Sequence, residues 1–410
     1  MIKRILATSS YSFLSRFLIT AINLFFVWFI SKNLGTESLG IYGIVFFFYQ
    51  FFASASSFNL YKFFGKEIAG VTDDREKKNL FFSELFSVTI IGLIIGLIIL
   101  VITILFYHRL SITLILYVFP AGILLGIERN LSGILLGMEK MKFEFYSNLV
   151  SFVIIIVVIS AKGHLFFSIK NILILKIVSQ LFAVGVKFIP FKNSFSSIRP
   201  RLKLNFFREG KFFWFTGLSN LFLRQADIFI LSFFIGKSLL GSYFLAIRIY
   251  YFFGLFAEIL SFAMTPFISR TFLGKEKHEF KRFNMTLIKI FSVFALIFSL
   301  LLYFGRDFIV RIFSSNPGNT ASYLSILSIF VFFTFLSYIT GNILTSTKYQ
   351  NIRFYISSSS SLLLIVLNLI LSPVFSVNGA IIAKGTAEFI VFLAFGIYVL
   401  KIFKGYELKE

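Results

Sequence analysis

SKNLGTESLGIYG runs from Ser31 to Gly43, and SFFIGKSLLGSYF runs from Ser232 to Phe244. Gly35, Leu39, Gly40 and Tyr42 of the first stretch are matched by Gly236, Leu240, Gly241 and Tyr243 of the second, with Ser38 and Leu239 at counterpart positions. The offset is 201 residues in a chain of 410. One glycine-containing turn, written twice half a chain apart, points to an internal duplication. In both copies the glycines let the backbone turn tightly between two apolar runs.

Those runs set the class. The chain is 58% hydrophobic and 14% charged, with a mean hydropathy of +0.89, whereas soluble domains carry about 25% charged residues. A bilayer core about 30 Å thick needs about 20 mostly apolar residues per crossing helix. Such stretches fill nearly the whole length, so the composition predicts a polytopic membrane protein with no soluble domain of any size. The 61 Phe, with abundant Ile and Lys, read as nucleotide bias and not as a binding device. There is no Cys, which excludes disulfides, thiolate chemistry and cysteine metal sites. His108, His164 and His278 fall between apolar runs, which speaks against a histidine proton relay inside the membrane. The opening MIKR leads straight into an apolar run without a small-residue cleavage site, as expected of a start-transfer helix.

Periodicity and hydropathy predict an all-α integral membrane protein of twelve transmembrane helices, over 9–32, 38–60, 80–107, 111–137, 143–161 and 165–189, then 207–235, 238–262, 285–304, 319–346, 351–372 and 377–403. With both termini cytoplasmic, the inner segments hold 26 Lys and Arg. The outer loops hold 6: Lys32, Arg109, Lys162, Lys237, Arg306 and Arg311. That bias in short loops orients the chain and explains its net charge of +22 as membrane-directed, with no nucleic-acid partner. The longest inner connection, from Phe188 to Lys211, holds two prolines and a basic run suited to anionic headgroups. The expected organisation is therefore a six-helix bundle over 1–189, a cytoplasmic basic linker over 190–206 and a second six-helix bundle over 207–410. An even number of helices per half gives parallel topology and a pseudo-two-fold axis along the membrane normal.

No phosphate-binding loop, dinucleotide fingerprint or metal cluster appears, and IIGLIIG at 90–96 suits helix packing. What remains are ionisable residues inside spans, each costing about 2.5–3.5 kcal/mol at a helix centre on insertion scales. The basic ones are Arg16, Arg129, Lys170, Lys176, Arg224, Arg248 and Lys384; the acidic ones are Glu128, Asp227, Glu258 and Glu388. Helical spacing pairs Arg224 with Asp227 and Lys384 with Glu388 on shared faces. Of Lys170 and Lys176, one is expected to snorkel. Arg16, Arg129 and Arg248 have no acidic partner in register on their own helix, and an excess of positive charge at membrane depth favours an anionic guest. The planar guanidinium fork suits phosphate in particular.

The stretch NLILSPVFSVNGAIIAKGTAE, from Asn368 to Glu388, resembles the penultimate loop of polysaccharide flippases of the MATE-like superfamily, through Asn368, Pro373, Gly379 and Ala380. The repeated loop resembles that family too, as does LLYFGRDFIVRIFSSNPGNTASYLSIL from Leu301 to Leu327, through Phe304, Gly305, Ala321 and Tyr323. The nearest branch is the Wzx-type O-antigen or capsule flippase. The resemblance implies a MATE-like two-bundle fold in the bacterial inner membrane. It implies alternating-access transfer of an undecaprenyl-diphosphate-linked oligosaccharide, the repeat unit of O-antigen or capsule, from the cytoplasmic to the outer face. The expected partners are membrane lipid, that lipid-linked glycan, and the polysaccharide polymerase with its chain-length machinery.

Arg16, Arg129, Arg224 and Arg248 are then expected to supply a cationic cavity. Asp227, Glu258, Glu128 or Glu388 are the candidates for coupling to a H⁺ or Na⁺ gradient. No catalytic residue, metal or bound cofactor is expected. Asn23, Asn130, Gln180, Asn220, Gln225 and Asn342 are candidates for polar lining. Two alternatives stand beside this reading. A MATE-like small-molecule exporter should have an acidic centre. A polymerase or glycosyltransferase of the same pathway usually needs a sizeable outer loop, and the longest here, 305–318, has one acidic residue, Asp307.

Overall fold

The computed structural model describes residues 2–70, 74–166, 168–192, 205–273, 277–314, 318–347 and 349–407. Among these, every regular element is helical. In chain order they are α1 (Ile2–Asn33), α2 (Gly35–Ser57), α3 (Tyr61–Gly70), α4 (Asp74–Phe106), α5 (Ile112–Gly137) and α6 (Met141–Lys162). After one 3₁₀ turn come α7 (Ile169–Phe188), α8 (Asn205–Phe234), α9 (Lys237–Leu273), α10 (Lys277–Phe313), α11 (Gly318–Ser346) and α12 (Gln350–Glu407). Most of the expected basic linker, residues 193–204, lies outside the described residues.

The twelve expected spans are all found. Ten helices among the described residues are long and apolar enough to cross a membrane, and one of them, Gln350–Lys404, is 55 residues long. At about 1.5 Å per residue a straight helix of that length would be far longer than a bilayer is thick. It is not straight. Ser376 has φ 55° and ψ −132°, which breaks the helix three residues after Pro373. A Cβ on Gly379 would run into the carbonyl of Leu371, so the two arms lie against each other at the bend. Leu364, Leu367 and Leu371 of the first arm pack with Ala383 and Ala387 of the second. Positions 364 and 387 face each other far from the bend, and 371 and 379 close to it. This is the pairing of an antiparallel hairpin. The Asn-Pro-Gly pattern read in the sequence is therefore the turn between two spans. With α12 counted as two crossings and α8, whose N-terminal third is charged, as one more, the total is twelve.

One element was not expected. α3 has ten residues, too few to cross. Phe58 and Asn59 both take φ 51°, which ends α2 and turns the chain. Phe63, Phe64 and Ile68 of α3 then pack with Leu131, Ile134 and Leu135 of α5 in one buried cluster.

The faces are those of a protein in lipid. On α4, Ile94, Leu97, Ile98, Val101, Ile102 and Leu105 are exposed at helical spacing, while Ser83, Glu84, Ser87 and Thr103 are buried. Apolar residues outside and polar residues inside is the arrangement a hydrocarbon solvent selects. The described chain is a multi-span membrane protein.

By contacts the chain forms two compact units. The first comprises Met1–Phe26 and Ile41–Leu221, and the second Val27–Gly40 and Phe222–Glu410. The first copy of the duplicated loop, as far as Gly40, and the whole of the other copy thus fall in the second unit, where they meet. A Cβ on Gly40 would collide with the carbonyl of Lys237, and one on Gly241 with the carbonyl of Thr36. The Thr36 and Ser238 hydroxyls are 3.1 Å apart beside this contact. Gly40 and Gly241 are equivalent under the 201-residue offset, and so are Thr36 and Lys237. The contact is reciprocal, each copy offering the other a glycine.

Candidate functional site

Each unit gathers its charged residues along facing stripes of a few helices. In the second unit, Arg224 and Asp227 are one turn apart on α8. Tyr243, Tyr250, Tyr251 and Glu258 follow α9 at heptad spacing, Thr334 and Tyr338 are one turn apart on α11, and Lys384 and Glu388 one turn apart on the second arm of α12.

Lys384 is the centre of this group. Its side chain is 1% exposed, and that of Asp227 is 0% exposed. The ammonium donates to the carbonyl of Leu223 and to the hydroxyl of Tyr251, and lies 3.6 Å from Asp227 Oδ2. Tyr243 donates to the same carboxylate oxygen at 2.8 Å, and the Ile228 amide donates to Oδ1 at 2.9 Å. Tyr251, accepting from Lys384, donates to the carbonyl of Arg224 at 3.1 Å. Every member of this buried chain is satisfied, which is the condition for keeping ions at membrane depth.

Two further carboxylates adjoin it. Arg224 Nη2 is 3.2 Å from Glu258 Oε2 and donates to the Tyr338 hydroxyl at 2.8 Å. This pair is half-open, with Arg224 48% exposed. Glu388 accepts from the hydroxyls of Tyr250 and Thr334, both on the same oxygen. These two donors are neutral hydroxyls, and the carboxylate also lies in the field of Lys384, one turn away. Arg248 donates to Gln225 Oε1 at 2.7 Å, with its guanidinium 4.5 Å from the Phe244 ring centre.

The close ion pairs run across helices, while Lys384 and Glu388, the expected pair one turn apart, remain within each other's field. Arg224 meets Glu258 of α9, and Lys384 meets Asp227 of α8. Spacing along one helix puts two residues on one face but is silent on what a neighbouring helix brings to it.

In the first unit, Arg129 of α5 donates to the side-chain carbonyl of Gln50 on α2, a neutral partner. Lys187 lies 3.0 Å from Glu128 Oε1 and donates to Ser132 at 2.8 Å. Lys187 belongs, on sequence, with the inner basic segment, yet its side chain is 1% exposed. Its position one residue before the end of α7 gives no hint of this; the carboxylate at Glu128 draws it inward. Glu144 is buried, within the field of Lys187 and Arg16. Arg16, on α1, is half-buried. Of the two lysines of α7, Lys170 is exposed and Lys176 buried, its ammonium 3.9 Å from the Tyr49 ring centre, 5.4 Å from Phe46 and 5.7 Å from Phe26. Gln180, one turn on, donates to the Tyr49 hydroxyl at 2.6 Å. The tyrosines carried no signal in the sequence beyond Tyr42 and Tyr243 in the repeated loop.

The expected polar lining divides. Asn130, Gln180, Gln225 and Asn342 are buried, Asn23 is half-buried and Asn220 exposed. Asn342 joins two helices, donating to the Ser261 carbonyl and accepting from Thr265 at 3.1 Å.

Among the described residues, no group of three or more His, Cys, Asp or Glu could hold a metal ion. The chemistry on offer is charge and hydrogen bonding on helices that cross a membrane. Comparison with solved structures shows what this arrangement of helices is similar to. An inward-facing multidrug resistance MATE family transporter of the MOP superfamily matches with a TM-score of 0.77 at 14% identity, over 98% of this chain and 95% of that one. The MATE multidrug transporter DinF-BH matches with a TM-score of 0.69 at 18% identity, over 97% of this chain and 95% of that one. A MOP superfamily transporter from Pyrococcus furiosus, described as having a binding pocket of reverse polarity that suggests a different function, matches with a TM-score of 0.62 at 15% identity, over 99% and 96%. At these identities the likeness establishes the fold, that of MATE transporters. No curated protein matches the chain. The MatE family model matches residues 214–370, and the model described as "Polysaccharide biosynthesis protein" matches residues 5–272. The chain belongs to the polysaccharide biosynthesis protein family, and part of its second half also matches the MatE model.

Proposed function

We propose that this protein flips a polyprenyl-diphosphate-linked oligosaccharide, an undecaprenyl-linked repeat unit of O-antigen or capsule, across a bacterial inner membrane. Alternating exposure of its binding residues to the two faces would carry the transfer, with both termini on the cytoplasmic side. The observation that carries this reading is Arg129. A guanidinium in a polysaccharide-family chain is bonded to a neutral amide, and the neighbouring Glu128 carboxylate is already paired with Lys187, so the guanidinium can act on an incoming anion. In the second unit Arg224 shares a carboxylate but stays half exposed, and it is that unit's candidate anion contact, with Arg248; Arg16 is a further candidate in the first unit. Glu388, hydrogen-bonded by two hydroxyls and lying in the field of Lys384 one turn away, is the group that takes up and releases a proton during the cycle. The family match to polysaccharide biosynthesis proteins over residues 5–272, well over half of the chain, supports the substrate class.

A second reading, export of a small cationic molecule, draws on the MatE match and on the drug transporters that share the fold. The Pyrococcus furiosus transporter of that fold is described as having a pocket of reverse polarity, so polarity is the property on which the two readings part.

The test is a deletion strain. On the flippase reading, lipid-diphosphate-linked repeat units accumulate on the cytoplasmic face, and surface polysaccharide returns with the wild-type gene but at least about ten-fold less with R129A at equal protein level, as removal of a charged contact worth about 1.4 kcal/mol or more requires. Normal surface polysaccharide in the deletion strain overturns the proposal, and altered sensitivity to cationic dyes in that strain favours the second reading.

A further inference from the structure

Buried ammonium groups have few reasons to exist inside a membrane bundle. Lys384 is enclosed by oxygens: the Leu223 carbonyl, the Tyr251 hydroxyl and the Asp227 carboxylate, the last held in place by Tyr243 and the Ile228 amide. A carbonyl, a hydroxyl and a carboxylate converging on one positive centre is the ligand set that hard cations take. An ammonium head is close to a potassium ion in size and carries the same charge. The oxygens come from two helices that precede the hairpin, whereas the lysine arrives from its second arm, on a flexible four-carbon stem. The cage is thus formed by α8 and α9, and the cation is delivered to it by α12.

We propose that the Lys384 ammonium is a tethered cation occupying a monovalent-cation site built by Leu223, Asp227 and Tyr251, and that the site accepts a free alkali-metal ion once the tether is shortened. The wild-type unit needs no such ion because it carries its own. This proposal is independent of what the protein transports.

Thermal unfolding of the purified full-length protein in detergent tests it, in choline chloride against NaCl, KCl or methylammonium chloride at one ionic strength. Wild type unfolds at the same temperature in all four. K384A unfolds lower in choline and recovers by several degrees in at least one of the other three. K384M, whose side chain fills the space without a charge, unfolds low in all of them. The double variant K384A/D227N, in which no buried charge is left unpaired, unfolds above K384A in choline and shows no salt response. Equal unfolding of K384A in choline and in the other three salts overturns the proposal. A recovery of the same size in K384M also overturns it, because the ion would then bind elsewhere. Where K384A cannot be purified, the double variant decides: failure to rescue the fold removes the pairing on which the proposal stands.

Discussion

Two lysines, one in each unit, make the same approach with different company. Each comes from the last span of its half and enters between the first and second spans. Lys176 meets Phe26 and Tyr49, and Lys384 meets Asp227 and Tyr251. Under the 201-residue offset Phe26 corresponds to Asp227, Tyr49 to Tyr250 and Gln50 to Tyr251. The two lysines are 208 residues apart and so are not counterparts in the repeat; each half brings a cation of its own beside the equivalent positions 26 and 227. In the first unit the ammonium is stabilised by ring faces, through cation–π attraction worth about 2 kcal/mol or more when desolvated. In the second it is stabilised by a carboxylate and oxygen donors, a stronger bond that leaves a buried charge behind if either partner goes. A position can thus be structural in one repeat and ionic in the other, and it is the ionic copy that offers exchange with solution ions.

The contrast can be broken most severely at Asp227. Asp227→Ala strands the Lys384 ammonium in a dry site, and breaking a buried pair from one side costs about 3–5 kcal/mol. Chemical denaturation in detergent should show that loss, and a change as small as that of an exposed pair, below about 1 kcal/mol, would mean the pair is hydrated. Tyr251→Phe takes one oxygen from the ammonium and the donor from the Arg224 carbonyl. Hydrogen bonds to charged groups contribute about 1.5–3 kcal/mol, and the unfolding midpoint should fall accordingly. Tyr49→Phe, in the first unit, keeps the ring under Lys176 and loses only the bond from Gln180. An ordinary hydrogen bond sets its effect at about 0.5–1.5 kcal/mol, and a loss as large as that of Tyr251→Phe would show that the first cage also works through oxygen. Glu258→Gln should change stability least, by about 0–1 kcal/mol, because the Arg224–Glu258 pair is half exposed and screened. In a transport assay the same variant separates a binding role for Arg224 from a packing role.

Much of the frame was legible in the residues. The apolar runs and the turn after Pro373 follow from hydropathy and the lack of a proline amide, both local properties. The partners of the buried ions were not legible. Arg224 finds Glu258 and Lys384 finds Asp227 because α8, α9 and α12 sit at particular rotations about their own axes. Periodicity within one helix contains no term for that. Lys187 was hidden for a related reason: a lysine at a helix end looks the same in sequence whether it reaches headgroups or turns in toward Glu128. α3 escaped because ten residues of mixed polarity fall below the length at which hydropathy separates a membrane helix from a loop.

The reciprocal meeting of Gly40 and Gly241 has a consequence for how this gene can drift. Each glycine is required by the other copy's backbone, so neither half can relax its own loop without disturbing its sibling. A bulky residue at either place pushes on both turns at once. The repeated motif is thus a mutual constraint, in which each copy's backbone fixes the residue the other can carry.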